Sequence, residues 1–142
     1  MAPNTISLRV WSIKEDKAPL ATGQDVTPGM FLEFSNGNVQ PHASAAAVPA
    51  PIIIAVEAPY RSGAGIETAY DVDGEEVDFH YAASGERFYA LLAAGEDIAE
   101  GDLLESDGAG GVQAGASTFL RALEAVDNSA SYEYARIRVE VL

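Results

Sequence analysis

Short runs of alternating apolar and polar residues, each closed by a turn-forming residue, set the rhythm of this chain. In Thr5–Val10, Ile6, Leu8 and Val10 fall on one side and Thr5, Ser7 and Arg9 on the other, the period-two pattern of a half-buried strand. Val77, Phe79 and Tyr81 alternate with Asp78 and His80, and Ile137, Val139 and Val141 alternate with Arg136, Arg138 and Glu140. The last run predicts a closing strand with one charged face, turned to solvent or to a partner. Asn36-Gly37, Asp73-Gly74 and Asp107-Gly108 tolerate positive φ and close tight hairpins, and Thr27-Pro28-Gly29 suits a type II turn. With 13 glycines and 7 prolines spread among such runs, the pattern predicts an all-β fold, a sandwich or small barrel with short hairpins. The Ala/Pro-rich stretch from His42 to Pro51 reads as an extended loop, and helix is confined to a single turn near Ala116–Arg121.

The chain also resembles itself. Thr22–Glu33 laid over Ala94–Glu105 matches Gly23 with Gly95, Asp25 with Asp97, Gly29 with Gly101, Leu32 with Leu104 and Glu33 with Glu105. After a one-residue shift Val39-Gln40 meets Val112-Gln113 and Ala43-Ser44 meets Ala116-Ser117; six extra residues later, Ala55–Ala58 meets Ala122–Ala125. Three blocks recurring in order predict an internal duplication of a β-unit, with copies over about 22–58 and 94–125. In each copy the two glycines bracket a tight corner where Val26 or Ile98 turns inward, which makes Asp25 and Asp97 structural. The organisation expected is an N-terminal strand or arm over residues 1–20 and one barrel domain over 21–142.

Composition narrows the function. A chain of 142 residues with 48% hydrophobic residues buries a real core as one domain. The absence of Cys excludes thiol catalysis, zinc–thiolate sites and disulfides. Eight basic against 22 acidic residues, a net charge of −14, oppose binding to nucleic acid or an anionic membrane, since both need a positive patch. The most apolar window, Ala43–Val56, is short and broken by Pro49 and Pro51, so no bilayer span is expected. Met1–Thr5 carry no basic n-region and lead into no apolar core, so the sequence predicts a protein made and used inside a cell or released by lysis.

Candidate chemistry is sparse. Asp71-Val-Asp73-Gly74-Glu75-Glu76 has the look of a calcium loop, but the twelfth position, which needs a bidentate Glu, is Ala82, and a hairpin tip explains it better. The acids Glu96, Asp97, Glu100, Asp102, Glu105 and Asp107 read as a solvated face, able at most to hold a hard cation weakly. His42 and His80 have no ligand spacing, and Gly108–Gly111 lacks the Lys-Ser/Thr of a phosphate loop. No nucleophile elbow is present, and Asp97 with Glu100 makes only a remote acid–base pair, so no enzyme activity, cofactor or metal is expected. Cations gather at the start: Arg9, Lys14 and Lys17 lie within the first 20 residues, whereas residues 62–120 hold only Arg87. With Trp11 beside Arg9 and Ile13, this segment is the candidate contact surface, because aromatic and Arg side chains are favoured at interface cores. The alternative for Trp11 is a place in the core. A rival reading is a small-ligand or carbohydrate-binding β-barrel, its pocket lined by Trp11, Tyr60, Tyr81 and Tyr89, with Tyr132 and Tyr134 adding to it.

The stretch "ERFYALLAAGEDIAEGDLLESDGAGGVQ" (Glu86–Gln113), then "RALEAVDNS" (Arg121–Ser129) and the closing "RIRVEV" (Arg136–Val141), resembles the capsid decoration, or cement, proteins of tailed bacteriophages. The resemblance covers about the last 60 residues best and rests on positions that shape a fold. It implies a β-barrel or β-tulip-like domain on the outer capsid surface of a virion made in the host cytoplasm. It further implies a homotrimer at threefold and quasi-threefold positions, bound to the major capsid protein and clamping neighbouring subunits. The residues placed at capsid or subunit contacts are Arg9, Trp11, Lys14 and Lys17, with Arg136 and Arg138 on the last strand near them or between copies.

Overall fold

A computed structural model describes residues 2–11, 14–58 and 63–142. Among these described residues thirteen strands follow in order: β1 (Ser7–Arg9), β2 (Glu15–Pro19), β3 (Phe31–Ser35), β4 (Asn38–Pro41), β5 (Ile53–Ala55), β6 (Glu76–Tyr81), β7 (Arg87–Leu92), β8 (Asp97–Ile98), β9 (Leu103–Ser106), β10 (Val112–Ala114), β11 (Leu120–Ala122), β12 (Val126–Asp127) and β13 (Ala135–Val141). Among the described residues there is no helix, and the single turn expected near Ala116–Arg121 is instead a bend feeding β11. Thr27-Pro28-Gly29 and Asn36-Gly37 turn as expected, with Asn36 at φ 51° and Gly37 at φ 80° closing the β3–β4 hairpin. Asp73-Gly74 does not join paired neighbours. It precedes β6, whose partner β5 lies across the long connection over 56–75.

In the second half β7, β10, β9, β11 and β13 pair in that order, and β13 pairs back onto β7, closing a five-stranded β-barrel with β1 added along β7. The first half repeats the scheme as β2–β6–β5–β3–β4. Its outer strands approach where Leu20 bridges Val39 in parallel, as Leu92 bridges Val112 in the second half. The same backbone bond follows each bridge: Ala21 N–H to Val39 O at 2.9 Å and Ala93 N–H to Val112 O at 2.8 Å.

These correspondences are the duplication, written in register. Leu32 faces Pro41 and Ile53, and Leu104 faces Ala114 and Leu120. Gly29 and Gly101, at φ 97° and 91°, donate to the carbonyls of Ala55 and Ala122 at 2.8 and 2.9 Å. Only glycine takes such φ values cheaply, which is why the corner keeps it twice. Inward positions also match: Val26 with Ile98 and Leu32 with Leu104 are buried in both copies. The repeat runs beyond the matching sequence, since β6 and β13 occupy equivalent places, as do β2 and β7: Lys17 pairs with Asp78 where Tyr89 pairs with Arg138. Outward residues on these strands share nothing, so no sequence match marks them.

Each half has its own apolar cluster, and the two are joined by residues of the first half that face away from its interior. Phe31, Ile54 and Val56 belong to the second core, and Phe31 meets Phe119 edge-on with ring centroids 4.8 Å apart. Burying such side chains contributes about 1.5–3 kcal/mol each. Backbone bonds cross the same seam, from Phe31 N–H to Gly110 O and from Ala46 N–H to Ser106 O. The expected boundary at residue 20 falls inside paired structure. Ile6 is fully buried in the second core, β1 lies on β7, and β2 belongs to the first half, so the N-terminal segment ties the halves together.

Candidate contact surfaces

β1 ends at Arg9, and two residues later the backbone N–H of Trp11 donates to Glu86 Oε2 at 2.8 Å. Glu86 is fully buried; its Oε1 accepts from Ala83 N–H at 2.8 Å and lies 3.7 Å from Nε2 of the buried His80. This carboxylate pins the chain at Trp11 while the indole faces outward, 62% exposed. The ring has three neighbours. Its Nε1 donates to Ser84 O at 3.4 Å, its edge rests against Gly85, and the Arg9 guanidinium stacks 4.5 Å from its centroid. Trp11 is therefore a surface residue rather than core. Lys14 is exposed nearby in sequence, and its carbonyl accepts from Tyr81 N–H. Ile13, the apolar neighbour expected beside Trp11, lies outside the described residues.

The other cations fall elsewhere. Lys17 stands on β2, 3.7 Å from Glu76, on an acidic face. The Arg136 side chain is only 11% exposed and works as an internal clamp, donating to Pro28 O (2.6 Å), Ile66 O (2.7 Å) and Glu67 Oε1 (3.0 Å) while lying over Tyr89. Arg138 is partly exposed, 3.7 Å from Glu124.

Two clefts open on either side of β1. One, of about 440 Å³, is bordered by Glu15, Asp16, Lys17, Glu57 and Asp78. Burial pushes the Asp78 carboxyl above its ordinary range; Lys17 opposes this, and Glu15 and Glu76 add to it. The other, of about 570 Å³, is bordered by Leu8, Arg9, Arg87, Leu123 and Arg138. Beside it Glu140 bridges Arg121 and Arg87, whose hydrogen bonds, Arg121's above all, hold its carboxyl below the usual range.

Many remaining acids hold the backbone. Glu75 Oε2 accepts from Asp71 and Val72 N–H, Asp73 from Gly23, Asp102 from Ala99, and Asp107 from Ala109 and Gly111. Among the described residues no group of three or more His, Cys, Asp or Glu is placed to hold a metal ion. His42 is buried, with Nδ1 2.7 Å from Ser106 Oγ, and fastens the Ala/Pro loop to the second half. The aromatics of the ligand-pocket reading do not converge. Tyr81 packs against the first core, Tyr89 lies under Arg136, Tyr132 is 99% exposed, and the Tyr134 hydroxyl donates to Asp107; Tyr60 lies outside the described residues. None of the described ones borders either cleft.

Glu86 and the row Arg87–Glu140–Arg121 were not singled out by the sequence. The row was accessible, because alternation in Arg87–Leu92 and Leu120–Ala122 turns Arg87 and Arg121 outward. Glu86 carries no such signal: an acid ahead of a strand reads as solvated. No known protein-family model matches the chain, and no curated protein matches it either.

Proposed function

We propose that this protein is a structural component of a tailed-phage virion that binds the outer face of the major capsid protein and bridges neighbouring subunits. The observation that carries this reading is Trp11, a large apolar side chain held outward by Glu86, Ser84 and Arg9, with Lys14 exposed three residues further along. A pinned aromatic with flanking cations has the composition of an interface core and loses little conformational entropy on docking. The resemblance of Glu86–Val141 to decoration proteins supplies the partner, and copies are read as meeting in a homotrimer at threefold positions. A net charge of −14 keeps a shell coated with such clips soluble and mutually repulsive. Packaged DNA loads a shell from within, and many small contacts across subunit boundaries oppose its opening.

The test is the copy number of this chain in purified particles, by quantitative mass spectrometry, joined to binding of the Arg9→Ala/Trp11→Ala variant. A ratio near one per shell subunit, with binding lost in a folded variant, is expected. Absence from particles overturns the reading.

A further inference from the structure

The duplication supplies a comparison that no single surface could. At places made equivalent by strand register, inward residues are apolar in both halves except where Asp16 stands for Phe88, while outward charges on one pair of strands are reversed. Glu15 sits opposite His80 on β2–β6 where Arg87 sits opposite Glu140 on β7–β13, and Asp78 stands where the second half has Arg138. The outer strip of the first half thus carries Glu15, Glu57, Glu76 and Asp78, with Lys17 as its cation among the described residues. Its counterpart carries Arg9, Arg87, Arg121 and Arg138 against Glu124 and Glu140. Both strips are accessible: the side chains of Arg87, Arg121 and Arg138 are 36–42% exposed, and that of Glu76 is 59% exposed.

We infer that copies of this chain associate head to tail, the basic cleft beside β1 and β13 of one copy receiving the acidic β2–β6 face of the next. Two related halves with reversed charge on equivalent strands supply the electrostatic complementarity a heterologous contact between identical chains needs. In a chain of net charge −14, four of the eight basic residues gather on this face, more than Glu124 and Glu140 there offset. The raised Asp78 carboxyl fits this arrangement, because its partly desolvated charge lies among Glu15 and Glu76 and is opposed by Lys17. The inference rests on the reading that copies meet one another and adds which surfaces meet. Trp11 and Lys14 stay available for the shell.

The experiment is analytical ultracentrifugation of the full chain and two charge-reversal variants, Arg87→Glu/Arg138→Glu and Glu15→Lys/Glu76→Lys/Asp78→Lys, each checked for folding by circular dichroism. Wild type is expected to self-associate at low salt and to weaken about tenfold or more at high salt, as screening shortens the reach of exposed charges. Each variant presents two like-charged faces and is expected to be monomeric alone. Mixing them pairs opposite faces again and restores association. A wild type that is monomeric at every salt concentration overturns the inference, and so do folded variants that associate like wild type or fail to associate when mixed. Binding to purified shells is measured separately, so a monomer that still binds shells overturns the head-to-tail contact and leaves the capsid reading standing.

Discussion

Gly29 and Gly101 occupy the same corner of the two repeats, at φ 97° and 91°, and so form a matched pair for measuring what the Arg136 clamp contributes. At Gly101 an added Cβ meets nothing within 4 Å. Gly101→Ala therefore costs only the left-handed backbone, about 1–2 kcal/mol. At Gly29 the same Cβ overlaps Nη1 of Arg136 and stands 2.8 Å from the carbonyl oxygen of Tyr89, a backbone atom that cannot step aside. Arg136 must swing away from Pro28 O, and a hydrogen bond from a charged donor is worth about 1.5–3 kcal/mol. Gly29→Ala should thus lose about 3 kcal/mol more than Gly101→Ala, a large share of the roughly 5–15 kcal/mol that holds a domain folded. Urea unfolding followed by far-UV circular dichroism and Trp11 fluorescence measures both losses, and thermal unfolding should place the two melting temperatures about 10 °C apart. Arg136→Ala in the Gly29→Ala background should cost less than the sum of the single losses, since it removes the clash. Equal losses at the two glycines would refute the clamp.

Glu86→Ala orphans the N–H groups of Trp11 and Ala83 and should cost about 3–5 kcal/mol, at about 1–3 kcal/mol for each donor with some loss at His80; fluorescence anisotropy of Trp11 should fall in the folded variant, and an unchanged anisotropy counts against Glu86 as the pin. Phe119→Ala removes the ring that meets Phe31 across the seam and should cost about 3–5 kcal/mol. Because the halves share that core, dichroism and fluorescence should still report one transition, and two separated transitions would show that the halves unfold independently. Asp78→Asn should raise the melting temperature of the monomer at neutral pH. A carboxyl whose folded pKa is raised weakens the fold above that pKa, so the gain should shrink as pH falls through the carboxylate range and Asp78 becomes neutral. A gain that persists at low pH would assign the effect to packing.

What could be read from the chain follows from which positions are constrained twice. Gly29, Gly101, Leu32 and Leu104 satisfy both a local turn or strand and the packing of a barrel, so they repeat and were visible as a match. The β2–β6 and β7–β13 pairs were invisible as repeats, because only their inward residues are constrained and single apolar residues align anywhere. Trp11 shows the limit in another way. Its sequence neighbourhood suited a contact surface and a core equally, and the outcome turns on Glu86, seventy-five residues away, accepting its N–H. Arg136 shows the converse: period two on the last strand turned it outward, but the 66–67 loop of the other half lies over that face and takes its guanidinium inside.

The reversal of charge between the halves has a physical consequence beyond any one contact. Two identical barrels in tandem would present the same face twice, and like charges there would repel both within the chain and between copies. Changing inward residues is constrained by a shared core in which even one methylene is felt, whereas exposed positions such as Glu15 and Arg87 change at little cost to the fold. Divergence is therefore easiest at the outward rows, and it is there that the halves differ: carboxylates on β2 and β6, guanidinium groups on β7 and β13. Such a molecule has a positive and a negative flank set by one fold. Lateral contacts then draw on Arg87 and Arg138 and shell contacts on Trp11 with Lys14, Arg9 bordering both, and substitutions at Arg87 and Arg138 should leave shell binding working.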